Sequence, residues 1–228
     1  MCMNLNLGSG QKSVENYLCV DKSPRLLLSK LQFGSYLRSK LEKNYEVPWD
    51  KEIKYMDVRK LKFRENSVSN IYSSHLLEHL YFYEARKLLD DCYFFLKPGG
   101  VLRLALPDYH EFISQYVSNS AVDPINAYFE FESSLLSWPL ERQKFSERLF
   151  SNLFGKLHVH KWHPTPFVVK KFLLDAGFEN VTQFPYHIGT IPDLLSVENR
   201  DNGTFYLEAT KPLSVWLRNS SPQNVKFF

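Results

Sequence analysis

The residues of this chain most able to do chemistry are two glycines, two acids and a set of histidines. Gly8-Ser9-Gly10 directly follows the short alternating run Met3 to Leu7. Without Cβ atoms the backbone there can approach a ligand closely or take a left-handed turn. Asp21 closes the run Tyr17-Leu18-Cys19-Val20. A carboxylate at a strand end can accept from both hydroxyls of a ribose, or cap a helix or turn. Asp57 lies near the end of Lys54-Tyr55-Met56-Asp57-Val58, where it suits an acceptor for an exocyclic amino group such as that of adenine, or a solvated loop acid.

The histidines are candidate proton acceptors. His79 lies one turn from His75 on the same expected helix face, with Glu78 read as pointing elsewhere. His158, His160 and His163 form HxHxxH around Trp162. That spacing could gather a metal, but no nearby Cys or acid completes a zinc signature, so no metal site is expected. His79, His160 and His163 are the candidate catalytic bases. Each has a structural alternative, as a capping or packing residue.

These residues have to be positioned by strands and helices. Strands are expected over Met3 to Leu7, Tyr17 to Asp21, Lys54 to Val58, Val68 to Ser73, Val101 to Leu106, Asn180 to Phe184 and Thr204 to Thr210. Leu26 to Asp50 reads as one irregular helix plus loop. Phe82 to Leu96 carries apolar residues at helical spacing and ends in Lys97-Pro98-Gly99-Gly100. A helical insertion is expected at about 109–157, in two pieces around His110 to Val117 and Leu135 to Phe154, separated by a loop holding Pro124. Thr165 to Ala176 reads as a capped helix and Pro212 to Phe228 as a tail. Only Gln11 to Val20 separates the glycine turn from Asp21, too short for a full helix plus a strand. Strands alternating with helices imply an α/β fold, a Rossmann-like, seven-stranded, mostly parallel sheet with helices on both faces. In such sheets ligands bind outside the carboxyl ends of the strands, where the winding reverses. The glycines, Asp21, Asp57 and His75 converge there. Residues 1–211 are expected to form a single domain.

The series LNLGSG, YLCVD, YMDV, SNIYSSHLLEHL and FLKPGGVLRLALPD, in this order and spacing, resembles the class I S-adenosylmethionine-dependent methyltransferases. DAGFENV and TFYLEATK resemble that family's last helix and closing hairpin. HLLEH and HKW are similar to segments of its short members often associated with cell-surface polysaccharide synthesis. The resemblance implies S-adenosylmethionine as cofactor, with Leu7, Gly8, Ser9 and Gly10 around the methionine part. It implies Asp21 at the ribose, Asp57 and Val58 at the adenine, and Ser74 and His75 on the side opposite the glycine turn. It also implies O- or N-methylation of a small-molecule or saccharide acceptor, for which a histidine would remove the proton as the bond forms. The segment after the fifth expected strand would build the substrate cover, with Tyr109, His110, Tyr128, Phe129, Phe131 and Trp138 available for its walls. Two rivals stand beside this reading. One is a non-catalytic module of the same fold that docks a partner through the helical insertion. The other is a nucleotide-using oxidoreductase, which is weaker because GSGQKS lacks the third glycine of GxGxxG.

The bulk properties agree with an ordinary globular enzyme. The 228 residues are 44% hydrophobic and 23% charged, close to globular averages. The net charge of +3 is slight and evenly spread, so no nucleic-acid partner is expected. Three cysteines, Cys2, Cys19 and Cys92, make no CxxC pair, which suits a reducing, cytoplasmic setting. Neither a signal peptide nor a membrane span is expected. Assembly into a homo-oligomer is left open.

Overall fold

The computed structural model describes residues 3–30, 49–135 and 159–213. Its centre is a seven-stranded sheet: β1 Met3–Leu7, β2 Tyr17–Asp21, β3 Lys54–Tyr55, β4 Val68–Ser74, β5 Leu96–Pro107, β6 Glu179–Phe184 and β7 Thr204–Thr210. The spatial order is β3-β2-β1-β4-β5-β7-β6. Strands β1 to β5 run parallel, while β7 is antiparallel to both β5 and β6. The winding therefore reverses between β1 and β4, and the expected Rossmann-like α/β architecture is present. Among the described residues the helices are α1 Pro24–Ser29, α2 Phe82–Phe95, α3 Tyr109–Ser120, α4 Pro124–Leu135, α5 Pro166–Ala176 and the single turn α6 Leu194–Val197.

Side chains alternate across the sheet with a period of two. Leu5 and Leu7 of β1, with Leu102, Leu104 and Leu106 of β5, face a core shared with Leu89 of α2 and Phe172 of α5. Cys19, Tyr72, Ala105 and Tyr206 face the opposite layer, closed by Leu26 of α1, Ile53, Ile191 and Val197 of α6. In α5, Pro166 occupies the first turn and Gly177 is the left-handed cap, its N–H donating to Leu173 and Leu174.

Several boundaries differ from the sequence reading for local reasons. Strand β3 is only two residues long, because Asp57 turns the chain into a 3-10 helix, Val58–Lys60, by accepting from the Arg59 N–H. Strand β5 starts at Leu96, since Lys97-Pro98-Gly99-Gly100 is absorbed as a register shift against β4 rather than ending the pairing. Pro124 begins α4 instead of lying in a loop. Between β1 and β2 there is no helix: Asp50 ties down this short connection by accepting from both the N–H and the hydroxyl of Ser13, at 2.7 and 2.9 Å. Of the expected helical insertion at about 109–157, the described residues hold two helices, α3 and α4, as far as residue 135. The rest of its second expected piece, with Trp138, lies outside the described residues, as do much of Leu26 to Asp50 and the tail beyond residue 213. Among the described residues no helix is long and apolar enough to cross a membrane.

On the far side of the sheet Arg103 is fully buried in β5. Its guanidinium donates to Glu198, to Glu208 at 3.1 Å, to the Ile188 carbonyl at 2.9 Å and to the Pro185 carbonyl at 3.3 Å. Glu208 also accepts from the Thr190 hydroxyl at 2.6 Å. This network fastens the irregular stretch from residue 185 to 198 over the sheet.

Candidate functional site

The site is built where β1 and β4 diverge. Leu7 ends β1 buried between Val20 of β2 and Ser73 of β4. The chain then leaves the sheet through Gly8 and Gly10, with φ of 70° and 68°. Gly8 and Ser9 both donate to the Val20 carbonyl, at 2.9 and 3.2 Å. Left-handed φ favours glycine at these two places. At Gly8 a Cβ would also stand 3.2 Å from Leu76 Cδ1, whereas at Gly10 it would meet nothing within 4 Å among the described residues. The turn is thus pressed against the end of β4 on one side and open on the other.

Substituting Gly8 by alanine should cost about 1–2 kcal/mol from the left-handed backbone alone. That corresponds to a fall of about 2–8 °C in melting temperature for a chain of this size. Leu76→Ala should restore the part due to the steric contact, and unchanged melting in Gly8→Ala would refute the turn geometry.

Asp21 sits at the carboxyl end of β2 with its carboxylate toward this turn. It accepts from the Gly10 N–H at 3.0 Å and the Ser23 N–H at 2.6 Å. Burial raises its pKa, against the lowering effect of those donors. Asp57 is arranged differently. Arg59 and Lys22 pair with its carboxylate at 2.7 and 2.8 Å, and the Arg59 guanidinium holds its pKa well below the usual carboxylate range. Its carboxylate is therefore already engaged by two cations. Val58 turns its side chain into the core.

Ser74 ends β4 opposite Ala105. His75 has a left-handed backbone, φ 47°, and its N–H donates to the Ala105 carbonyl at 2.9 Å. The chain then makes a 3-10 turn, Leu77–His79, instead of continuing a helix from His75. This overturns the expectation that Glu78 points elsewhere. Glu78 is fully buried, 3.3 Å from His75 Nδ1 and 4.0 Å from His160 Nε2. The rings of His79 and His160 lie 4.9 Å apart, edge to face.

The HKW segment is stitched onto this turn. The Lys161 N–H donates to the Glu78 carbonyl at 2.7 Å, and the Trp162 indole donates to the Leu77 carbonyl at 2.8 Å. HLLEH and HKW, about 80 residues apart in sequence, thus form one structure. His160 is buried, and burial lowers its pKa to about 4, so it is neutral near pH 7. Its Nδ1 is in a short hydrogen bond with the Tyr109 hydroxyl. His163 is exposed, with its ring 4.5 Å from that of Tyr109. His158 lies outside the described residues.

The sequence reading missed two residues at this site. Glu78 is close in sequence to His75 and His79, but its inward direction depends on the left-handed backbone of His75 and the 3-10 turn that follows. Tyr109 was assigned to the substrate cover, and nothing local in the sequence marks it as the partner of His160.

Residues 5–104 match the family model described as a methyltransferase domain. This span covers the end of β1, all of β2 to β4 and most of β5, including the glycine turn, both strand-end acids and the histidine turn. No curated protein matches the chain. Among solved structures, the chain resembles a putative S-adenosylmethionine-dependent methyltransferase from Listeria monocytogenes at 16% identity and a TM-score of 0.49, covering 92% of this chain and 91% of that one. It also resembles a SAM-dependent methyltransferase from Archaeoglobus fulgidus at 14% identity and a TM-score of 0.48, covering 92% and 86%. Residues 5–104 are thus similar to a methyltransferase domain, a similarity that implies S-adenosylmethionine as the cofactor, and the sheet order places the reversal of winding beside the glycine turn.

Proposed function

We propose that the protein transfers a methyl group from S-adenosylmethionine to an oxygen or nitrogen of a small-molecule or saccharide acceptor. The observation that carries this reading is that the glycine turn, Asp21 and the His75–His79 turn all stand at the carboxyl ends of the neighbouring parallel strands β1, β2 and β4, with Leu76 of the histidine turn 3.2 Å from where a Cβ on Gly8 would stand.

S-adenosylmethionine supplies a methyl group on a positively charged sulfur. On this reading Leu7, Gly8, Ser9 and Gly10 hold its methionine part, and the open space beside Gly10 suits a ligand there. Asp21 keeps carboxylate lone pairs beyond its two backbone donors and accepts from the ribose hydroxyls. The Val58 side chain is committed to the core, so it meets the adenine through its backbone, and Asp57 serves the amino group once Lys22 swings aside. Ser74 and His75 close the opposite side.

The acceptor binds over the histidines, where His79 and His160 supply ring nitrogens to its hydroxyl or amine. His163, beside Tyr109, is the exposed candidate. Rate enhancement comes mainly from holding two reactants in line. The association with polysaccharide synthesis rests on the likeness of the HLLEH and HKW segments. A cytoplasmic setting follows from cysteine usage.

The test is twofold. S-adenosylmethionine or S-adenosylhomocysteine at about a hundred times its dissociation constant should stabilise the protein by about 2.7 kcal/mol, with NAD giving none. A panel of saccharides, hydroxylated metabolites and amines should then show acceptor-dependent formation of S-adenosylhomocysteine, reduced at least tenfold in His79→Ala. Absence of both effects, with an apparent mass that rises with concentration, would favour the partner-docking module instead.

A further inference from the structure

Glu78 is a buried carboxyl group set among three histidines. Both of its carboxyl oxygens are fully buried and lack a hydrogen-bond partner among the described residues. His75 Nδ1 stands 3.3 Å from it, with Nε2 of the same ring 3.2 Å from the Thr204 hydroxyl. His160 Nε2 stands 4.0 Å from it, with Nδ1 in the short hydrogen bond with the Tyr109 hydroxyl. His79 Nδ1 is 3.4 Å from the Val159 carbonyl, which can only accept, so the lone pair of His79 is on Nε2.

A buried carboxyl group without a partner is costly. One imidazole N–H can satisfy at most one Glu78 oxygen, whereas one cation can engage the carboxyl group together with a nitrogen from each neighbouring ring. One donor atom each from Glu78, His79 and His160 already lies within 4.8 Å of the others. Donors around an ion at about 2.1 Å stand about 3–3.5 Å apart, so side-chain motions on the order of 1 Å close the set. The oxygens beyond the imidazoles, on Tyr109, Thr204 and Val159, have the ring-orienting role that outer partners play at histidine metal sites.

We propose that Glu78, His79 and His160, with His75 as a fourth ligand, bind one divalent first-row transition ion. Mixed imidazole and carboxylate donors suit Zn2+, Mn2+, Fe2+ or Co2+ more than Mg2+ or Ca2+. The site deepens the methyl-transfer reading and rests on it for its role: with an ion bound, His79 and His160 act as its ligands in place of proton acceptors, and His163 is the remaining candidate base. A cation at the histidine turn would hold an oxygen of the acceptor, which favours a hydroxyl acceptor over an amine.

The test uses chelator-treated full-length protein titrated calorimetrically with Zn2+ and Mn2+, beside a titration with S-adenosylhomocysteine. Co2+ absorption in the visible range reports the ligand set. We expect saturable one-to-one binding, at least tenfold weaker in Glu78→Gln and in His79→Ala, and unchanged in His163→Ala. Should one variant fail to fold, the other carries the comparison. No saturable metal binding by the unaltered protein, or binding undiminished in a folded Glu78→Gln or His79→Ala, overturns the site. If S-adenosylhomocysteine still binds in that case, the cofactor reading stands without the metal. If metal binds as expected and S-adenosylhomocysteine does not, the metal site stands and the methyl-transfer reading fails.

Discussion

Asp21→Ala is expected to weaken binding of S-adenosylmethionine and S-adenosylhomocysteine about a hundredfold or more. A hydrogen bond to a charged acceptor contributes about 1.5–3 kcal/mol, so losing both ribose hydroxyls removes about 3 kcal/mol or more, and about 1.4 kcal/mol is a factor of ten. Asp21 also accepts from the Gly10 and Ser23 N–H groups. Part of the loss will therefore come from a loosened glycine turn. Asp21→Asn separates the two contributions, because it keeps one acceptor for the backbone and should lose only about tenfold. Calorimetric titration of the three proteins, with circular dichroism to confirm the fold, decides the matter. Equal affinity in Asp21→Ala would remove this residue from the cofactor site.

The largest expected effect on stability is at Arg103, fully buried in β5. Removing one partner of a buried ion pair typically costs about 3–5 kcal/mol, because the remaining charge is left without compensation. Arg103→Met strands two carboxylates, Glu198 and Glu208, and frees the Ile188 and Pro185 carbonyls. The melting temperature should fall by about 6–20 °C. Neutralising both acids in the same chain, with Glu198→Gln and Glu208→Gln, should recover much of the loss, since replacing a whole buried network costs far less than breaking it. A melting temperature within 2 °C of the parent in Arg103→Met would show that the network contributes nothing, and would leave the stretch from residue 185 to 198 held by apolar contacts alone.

The parts of this molecule legible in its sequence are those set by local chemistry. Strands β1, β2 and β7 have the bounds that their apolar alternation and flanking turns imply. The Gly8-Ser9-Gly10 turn follows from glycine placement, and α5 from Pro166 at its start and Gly177 at its end. What the sequence concealed depends on distant partners or on single backbone angles. Arg103 reads as a polar interruption in the apolar strand Val101 to Leu106, because its acids lie 95 and 105 residues away. The left-handed backbone of His75 replaces an expected helix by a 3-10 turn and brings Glu78 inward. Asp57 and Lys22 meet only because β2 and β3 pair side by side. The candidate site was thus readable as a set of residue types. Its internal partners, Glu78 with His160 and His160 with Tyr109, required the fold.

The most direct measurement of the central claim is a calorimetric titration of the purified protein with S-adenosylhomocysteine, with NAD as the comparison ligand. One-to-one binding at micromolar concentration, with no heat from NAD, is the predicted result. No binding at millimolar S-adenosylhomocysteine, or preferential binding of NAD, would contradict it.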